Sequence, residues 1–233
     1  MGPLRRAMPT GRRVPSRETI ALMIAPRALL ACTSLVALLV FGAVIARAAG
    51  AELATDSPAA TVATLQNGLV AAASERPNAT IDERYRALEP LILATHNLPY
   101  IAEFALRRQW ASFGDADRQR FIAAFQRLSV MTYAARFKAL GRDAFHSVTV
   151  GTADANGRVQ VATAVARASQ PDVSLEYLLQ QEGQNWRIIN IIADGVSDLA
   201  LKRAEYQRMF ASGGLEGLLA ELDDQTERLR NGD

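Results

Sequence analysis

The chain has 233 residues, 49% of them hydrophobic and 21% charged, which is the balance of a globular protein with a substantial core and excludes wholesale disorder. Of its 26 basic and 24 acidic side chains, seven arginines and one acidic residue precede residue 51, which leaves 19 basic and 23 acidic groups in the remainder. The net charge of +2 therefore does not indicate nucleic-acid binding, and no nucleic-acid partner is expected.

The N-terminal segment has the three parts of a secretory signal. Arg27 precedes an uncharged apolar run over 28–45, and small-residue exit sites follow within 46–51. This pattern predicts an N-terminal extension and signal peptide over 1–48, a linker over 49–60 and a mature protein in the periplasm. The apolar run is nearly long enough to span a bilayer, so an uncleaved inner-membrane anchor is the alternative.

Two helices are predicted after the linker. Apolar residues recur at helical spacing over 61–74, which favours the first helix. Thr80 and Glu83 are the ends of a capping box that opens the second. Pro90 lies inside this second helix and should kink it, because proline lacks the N–H of a helical hydrogen bond.

The helical pattern continues to about residue 140. Residues 98–110 are expected to form one helix, and Asp115 is the expected N-cap of the next. Phe121 and Phe125 lie on one apolar stripe of that next helix. A helical part over 61–140 is therefore predicted.

The apolar period then changes from helical to two over 145–193. Asn156-Gly157 is the preferred pair for a tight hairpin turn. Residues 186–192 are apolar on both faces, which favours a central strand. The pattern predicts four strands with short connections, that is, an antiparallel meander.

The last part, 197–230, is predicted to be helical, with Ser197 as its cap and Gly213-Gly214 as an interruption. The whole of 61–230 is interpreted as a single domain. Its predicted fold class is α+β, with an antiparallel four-stranded sheet, helices packed on one face and an apolar cavity between sheet and helices.

Few residues in the sequence are of the types that act in catalysis or bind a metal ion. His96 and His146 are the only histidines, and the only cysteine, Cys32, lies in the predicted signal. The sequence has no metal-ligand spacing, nucleophile elbow or Gly-rich phosphate loop, so no catalytic residue, metal or cofactor is expected. His96 follows a helix end, where a charged imidazole is favourable, and is interpreted as structural.

Two other classes of function stay open. A small cone-shaped isomerase would use Asp194, Glu176 and His146 as acid–base residues. Glu176 alternates with Leu175 and Tyr177, so it should point to solvent, which weighs against catalysis. A membrane-anchored scaffold in lipid biosynthesis is the third hypothesis, and an uncleaved signal segment would favour it.

Several short motifs occur in a fixed order between residues 65 and 222. They are YRALEPL from Tyr85, LPYIA from Leu98, ALRRQW from Ala105, QRFIAAF from Gln119, WRI from Trp186, DGVS from Asp194 and the spaced set Tyr206, Phe210, Gly214, Leu215 and Leu218. Together they resemble the MlaC or toluene-tolerance family. The chain departs from the pattern of that family at Arg107, His96 and Asn190, where Gly, Phe and Asp are usual.

The resemblance implies a periplasmic protein that binds the acyl chains of a phospholipid. It also implies that this cargo is exchanged with an inner-membrane ABC transporter complex and an outer-membrane complex. One branch of the family, HpnM, is associated with hopanoids, so phospholipid and hopanoid are both expected cargoes.

The lipid is expected between the concave sheet face and the helices. It would be held by burial of its apolar part, at about 0.8 kcal/mol for each methylene. The side chains expected to line the cavity come from the strands and from the facing helices, and they are Ile101, Phe104, Phe121, Phe125, Val161, Val165, Leu175, Tyr177, Leu179, Ile189, Ile191, Val196 and Leu199.

Overall fold

The computed structural model describes residues 53–75, 77–141, 143–167 and 170–232. The predicted signal, 1–48, and the first residues of the predicted linker lie outside them, so export and cleavage stay predictions. Within the described ranges, no helix is both long enough and apolar enough to cross a bilayer.

Five helices come first along the chain. They are α1 (Pro58–Glu75), α2 (Ile81–Thr95), α3 (Leu98–Ala105), α4 (Arg107–Trp110) and α5 (Asp115–Arg136). The capping box of α2 is confirmed, since Thr80 Oγ accepts from the Glu83 N–H at 3.3 Å and the Glu83 carboxylate accepts from the Thr80 N–H at 2.8 Å. Helix α2 also continues through Pro90 to its end.

The prediction of one helix over 98–110 is wrong. Leu106, with φ −110° and ψ 26°, separates α3 from α4. Asp115 is also not a cap, because Gly114 takes the cap position and Asp115 is the first helical residue. The corner between α4 and α5 is held by Arg118, whose guanidinium donates to the Trp110 carbonyl at 3.3 and 3.2 Å. These hydrogen bonds join the first turn of α5 to the end of α4.

The sheet has the predicted meander topology but five strands instead of four. The strands are β1 (Phe145–Val150), β2 (Val159–Arg167), β3 (Gln170–Glu182), β4 (Asn185–Ala193) and β5 (Val196–Ser197), paired antiparallel in chain order. The middle strand is therefore β3, and the strand predicted to be central, β4, lies beside it. The fifth strand has only two residues, which is too short to show a period of two.

Two turns of the sheet depend on aspartates. The turn between β4 and β5 contains Asp194 and Gly195, both with positive φ, and the Asp194 carboxylate accepts from the Ser174 N–H of β3 at 2.9 Å. In the connection between β1 and β2, the Asp154 carboxylate accepts from the Asn156 N–H at 2.8 Å. This connection is longer than the two-residue turn predicted at Asn156, and Asp154 organises it.

The last helix, α6 (Asp198–Asn231), contains a sharp break at Gly214, with φ 62° and ψ −158°. In a straight helix, Glu205 and Gln225 would lie about 30 Å apart, at about 1.5 Å for each residue. The Gln225 amide instead donates to the Glu205 carboxylate at 3.1 Å. The break therefore folds α6 back on itself, as the Gly213-Gly214 pair predicts.

We predict that Gly214→Ala destabilises the protein by about 1–3 kcal/mol, because a β-carbon is strained at this positive φ. Gly213→Ala is the matched control, since Gly213 has no positive φ and an added methyl meets nothing within 4 Å at either glycine. It should be neutral or slightly stabilising. Urea unfolding measures both variants, and equal effects would contradict the role given to the Gly214 backbone.

Candidate functional site

An apolar cavity of about 680 Å³ lies between the sheet and the helices. Its walls come from α1, α3, α5 and both halves of α6 on one side and from β1, β3, β4 and β5 on the other. Most of the lining residues are aliphatic or aromatic: Leu65, Leu69, Leu98, Ile101, Phe125, Leu128, Phe137, Phe145, Leu175, Tyr177, Ile188, Ile189, Ile191, Val196, Leu199, Leu201, Tyr206 and Leu229.

The structure brings most of the sequence-predicted site residues to this cavity. Those that line it are Ile101, Phe125, Leu175, Tyr177, Ile189, Ile191, Val196 and Leu199. Those that lie elsewhere are Phe104, Phe121, Val161, Val165 and Leu179. Whether any of them contacts a lipid stays a prediction.

The five residues outside the cavity differ in where they lie. Phe121, Val161 and Leu179 are fully buried in the close-packed core, where Phe121 packs edge-on against Tyr206 with ring centroids 6.1 Å apart. Phe104 lies in a second, more open depression, and the guanidinium groups of Arg107 and Arg203 lie 5.7 and 5.6 Å from its ring centroid.

Val165 pairs with Phe145 and Val173 near the end of β2, beside the cavity but outside the set of residues that line it. Alternation places Val161, Val165 and Leu179 on the inward face of the sheet, but it does not tell which part of that face is covered by packed helices. That depends on tertiary structure.

Several cavity residues are absent from the sequence-based set. Leu65 and Leu69 lie on the apolar stripe that predicts α1, so their burial was predictable, whereas their position against the strands was not. His96 was interpreted as structural, and its ring lines the cavity. The signal that could have pointed to it is its place in the motif region, where the family usually has Phe.

A series of hydrogen-bonded polar side chains lies at the cavity wall. Thr95 Oγ donates to the Leu91 carbonyl at 2.8 Å, which uses its only proton. His96 Nδ1 lies 3.0 Å from Thr95 Oγ, so Nδ1 carries the ring proton and donates to it. His96 Nε2 lies 2.9 Å from Tyr133 Oη, and the interaction continues as an edge-on ring contact at 5.4 Å.

Burial keeps the His96 and Tyr133 side chains of this hydrogen-bonded series uncharged. Desolvation lowers the pKa of His96 to about 4, so its imidazole is neutral at neutral pH, unlike the charged ring that the helix end would favour. Desolvation also raises the pKa of Tyr133 well above its usual value, so the phenol keeps its proton. The neutral His96 Nε2 therefore accepts from Tyr133, and the Tyr133 oxygen has only acceptor capacity left.

The rim of the cavity combines charged and exposed apolar residues. Lys202 pairs with Asp198 at 2.6 Å, and Arg228 pairs with Glu221 at 2.7 Å. Beside these groups, Val196 is 53% exposed and Leu201 is 58% exposed. A guest with an apolar body and a polar end could therefore keep its polar end at this rim.

The residues of the isomerase hypothesis do not line the cavity. Asp194 holds a turn, Glu176 accepts from the Gln160 amide at 2.5 Å, and His146 pairs with Asp172 at 3.0 Å on the surface. Among the described residues, no group of three His, Cys, Asp or Glu side chains could hold a metal ion.

An α+β fold with an apolar cavity between meander and helices defines a protein that takes up an apolar guest. The family model described as MlaC protein matches residues 63–224, and the chain belongs to this family. The resemblance seen in the sequence motifs is thereby confirmed, and the HpnM branch stays a prediction.

The fold is similar to that of a phospholipid-binding protein from Ralstonia solanacearum, solved in complex with a phospholipid. The two chains are 19% identical, and the match has a TM-score of 0.61 and covers 73% of this chain and 97% of the other. It confirms the α+β fold class. A comparison with curated proteins found no match.

We predict that the buried His96 makes stability depend on pH. Its pKa is about 4 in the folded protein against 6.5 in the unfolded chain, so the unfolded chain binds the proton first as the pH falls. The contribution of neutral His96 to the free energy of unfolding is thus fully present above pH 6.5 and is lost as the pH falls towards 4. The loss between pH 7.5 and pH 5 is about 2 kcal/mol.

His96→Gln, which cannot titrate, should remove this part of the pH dependence in urea unfolding curves. His146→Gln keeps His96 and should retain it. If the free energy of unfolding of His96→Gln still fell by about 2 kcal/mol between pH 7.5 and pH 5, the assignment of this loss to His96 would be contradicted.

Proposed function

We propose that this protein binds a lipid and carries it across the periplasm as the soluble component of an ABC-type lipid transport system. The observation that supports the proposal is the apolar cavity of about 680 Å³ in a chain that belongs to the MlaC family. The phospholipid in the structure of similar fold supports phospholipid as the cargo. A hopanoid is the alternative cargo, and extraction of the bound lipid decides between them.

The volume and polarity of the cavity fit the apolar part of a lipid. If a methylene takes about the 30 Å³ of a water molecule, the cavity holds on the order of 20 such groups. This is one long acyl chain or a polycyclic hydrocarbon skeleton. At about 0.8 kcal/mol for each methylene, its burial contributes on the order of 10 kcal/mol before the cost of ordering the guest.

The rim of the cavity fits the second part of the proposed function, which is exchange of the lipid with other complexes. Lys202, Asp198 and Arg228 are charged groups that can meet a polar head group left in water. Val196 and Leu201 are exposed apolar side chains, and they offer a surface over which a hydrocarbon chain leaves the cavity. An inner-membrane ABC transporter complex and an outer-membrane complex are the proposed partners with which the lipid is exchanged, on the basis of family membership.

We predict that Ala193→Trp blocks the cavity. Ala193 lines it from β4, in register with Leu175, so an indole there displaces about four methylene groups. At about 0.8 kcal/mol each, lipid affinity should fall on the order of 100-fold. Native mass spectrometry and lipid extraction of the purified protein measure the bound lipid.

Ala166→Trp is the matched control. Ala166 is an exposed residue of β2 that does not line the cavity, so this variant should retain wild-type lipid. Equal retention in both variants would place the lipid elsewhere, and a wild-type protein that purifies without lipid and takes none up would contradict the binding function.

Transfer is tested separately from binding. The protein should accelerate movement of a fluorescent phospholipid between two vesicle populations, and Ala193→Trp should abolish the acceleration, since the cargo must enter the cavity to cross water. A protein that binds the lipid without accelerating transfer would contradict the carrier role and leave lipid binding intact.

A further inference from the structure

The second depression, beside the apolar cavity, is lined by positive charge. It has a volume of about 540 Å³ and lies between α3, the first half of α6 and the strands β3 and β4. It shares Ile189, Asn190 and Leu199 with the wall of the apolar cavity. Its lining includes Arg158 and Arg203, and no acidic residue is among the described residues that line it.

Two guanidinium groups at this depression are held against one aromatic ring. The guanidinium carbons of Arg107 and Arg203 lie 5.7 and 5.6 Å from the ring centroid of Phe104, within the range of a cation–π contact. Within the part of the chain that the structure describes, neither arginine has a carboxylate partner, whereas Arg158 pairs with Asp154 at 2.7 Å. Since two like charges on one ring repel, a bound anion would stabilise this arrangement.

A buried amide adds a donor to the same depression. Gln207 of α6 lines it, and its Nε2 is buried with no hydrogen-bond partner among the described residues. A buried donor without an acceptor is unfavourable, because it has lost its hydrogen bonds to water. Gln207 follows Arg203 by four residues on the same helix, which places their β-carbons about 5–6 Å apart. Helix α6 therefore presents two neighbouring donors without a protein acceptor.

These unpaired groups select an oxyanion. The planar guanidinium matches the paired oxygens of a carboxylate or a phosphate. A carboxylate has two oxygens, whereas a phosphate group has three or four and can accept from several donors at once. The depression is also larger than the anion alone, and its apolar side chains, among them Tyr100 and Leu178, remain to contact the group that carries the phosphate.

We propose that the second depression binds a phosphate group, with Arg203, Arg107 and the Gln207 amide as its donors. The phosphate belongs either to a small phosphorylated molecule or to a lipid whose hydrocarbon occupies the neighbouring cavity. The phosphate site itself does not depend on the proposed lipid-binding function.

The first test titrates the purified protein, freed of lipid, with inorganic phosphate, glycerol 3-phosphate and glycerol. NMR chemical shifts give the dissociation constants and also report on the Gln207 side-chain amide, whose resonance should move. Both phosphates should bind with a dissociation constant of about 1 mM or below, as expected for two charge-assisted hydrogen bonds. Glycerol should not bind.

Arg203→Gln should weaken both phosphates about tenfold. Arg107→Gln should have the same effect, and it carries the test alone if Arg203→Gln does not fold. Arg208→Gln is the matched control, because Arg208 is an exposed residue of the same helix that lines neither cavity. It removes the same charge and should change phosphate affinity by less than about twofold.

The second test identifies the source of the phosphate by comparing stearoyl lysophosphatidate with monostearoylglycerol, which lacks only the phosphate. If the phosphate belongs to the lipid, Arg203→Gln weakens lysophosphatidate about tenfold and monostearoylglycerol by less than about twofold. If it belongs to a small molecule, Arg203→Gln leaves both lipids unchanged, and the lipid-loaded protein still binds glycerol 3-phosphate. Either result supports a phosphate site.

Two results would overturn the phosphate proposal. One is that neither inorganic phosphate nor glycerol 3-phosphate binds with a dissociation constant below about 10 mM, while Arg203→Gln affects the two lipids alike. The other is that Arg203→Gln and Arg208→Gln weaken phosphate binding equally, which is the effect of net charge alone. If glycerol 3-phosphate binds and neither lipid does, the phosphate site stands and the lipid-binding function fails.

Discussion

Vacant apolar space has to be kept open in this fold. Protein interiors are close-packed, and the walls of a vacant space lose the contacts that they would otherwise make with neighbouring side chains. The helices therefore have to be fixed to the sheet strongly enough that they do not collapse onto it when the guest is absent.

Strand β4 provides this attachment. Its Trp186 carbonyl accepts from Thr61 of α1 at 2.9 Å, and Arg187 donates to the Leu93 and Ala94 carbonyls at the end of α2 at 2.8 and 2.7 Å. The Ile188 carbonyl accepts from the Asn97 N–H before α3 at 2.9 Å. Successive residues of one strand thus hold three helices.

The same strand also fixes the start of α6. The Asn190 side-chain oxygen accepts from Ser197 Oγ and from the Leu199 N–H, both at 3.1 Å. Asn190 stands where the family usually has Asp, and its amide oxygen makes these contacts without a charge. Between these anchors, Ile188, Ile189 and Ile191 face the cavity, so one strand both spaces the helices and lines the site.

The sequence predicts the parts of this fold that local chemistry decides. The capping box at Thr80, the meander and the helix break at Gly213-Gly214 all follow from spacing and turn residues, and the structure contains them. The break at Leu106 has no proline or glycine to indicate it, and the two-residue strand at Val196 is too short for a period. Both depend on tertiary contacts that a sequence pattern does not contain.

The cavity, too, is predicted by the sequence only in the part that local patterns decide. Alternation gives one inward face to Val161, Leu175, Tyr177 and Leu179, yet only Leu175 and Tyr177 line the cavity, because packed helices cover the other two. An apolar period reports burial and does not distinguish a filled core from a vacant space. That distinction lies in where helix anchors such as Arg187 and Asn190 hold the helices relative to the strands.

The fold of α6 completes the wall of the cavity. Its first half lines the cavity with Leu199 and Tyr206 and its second half with Gln225 and Leu229, which a straight helix of this length cannot do. The left-handed backbone at Gly214 is therefore what lets one helix cover the site twice. Because the contact between Glu205 and Gln225 joins the two halves close to the rim, a movement that opens one half must break or carry the other.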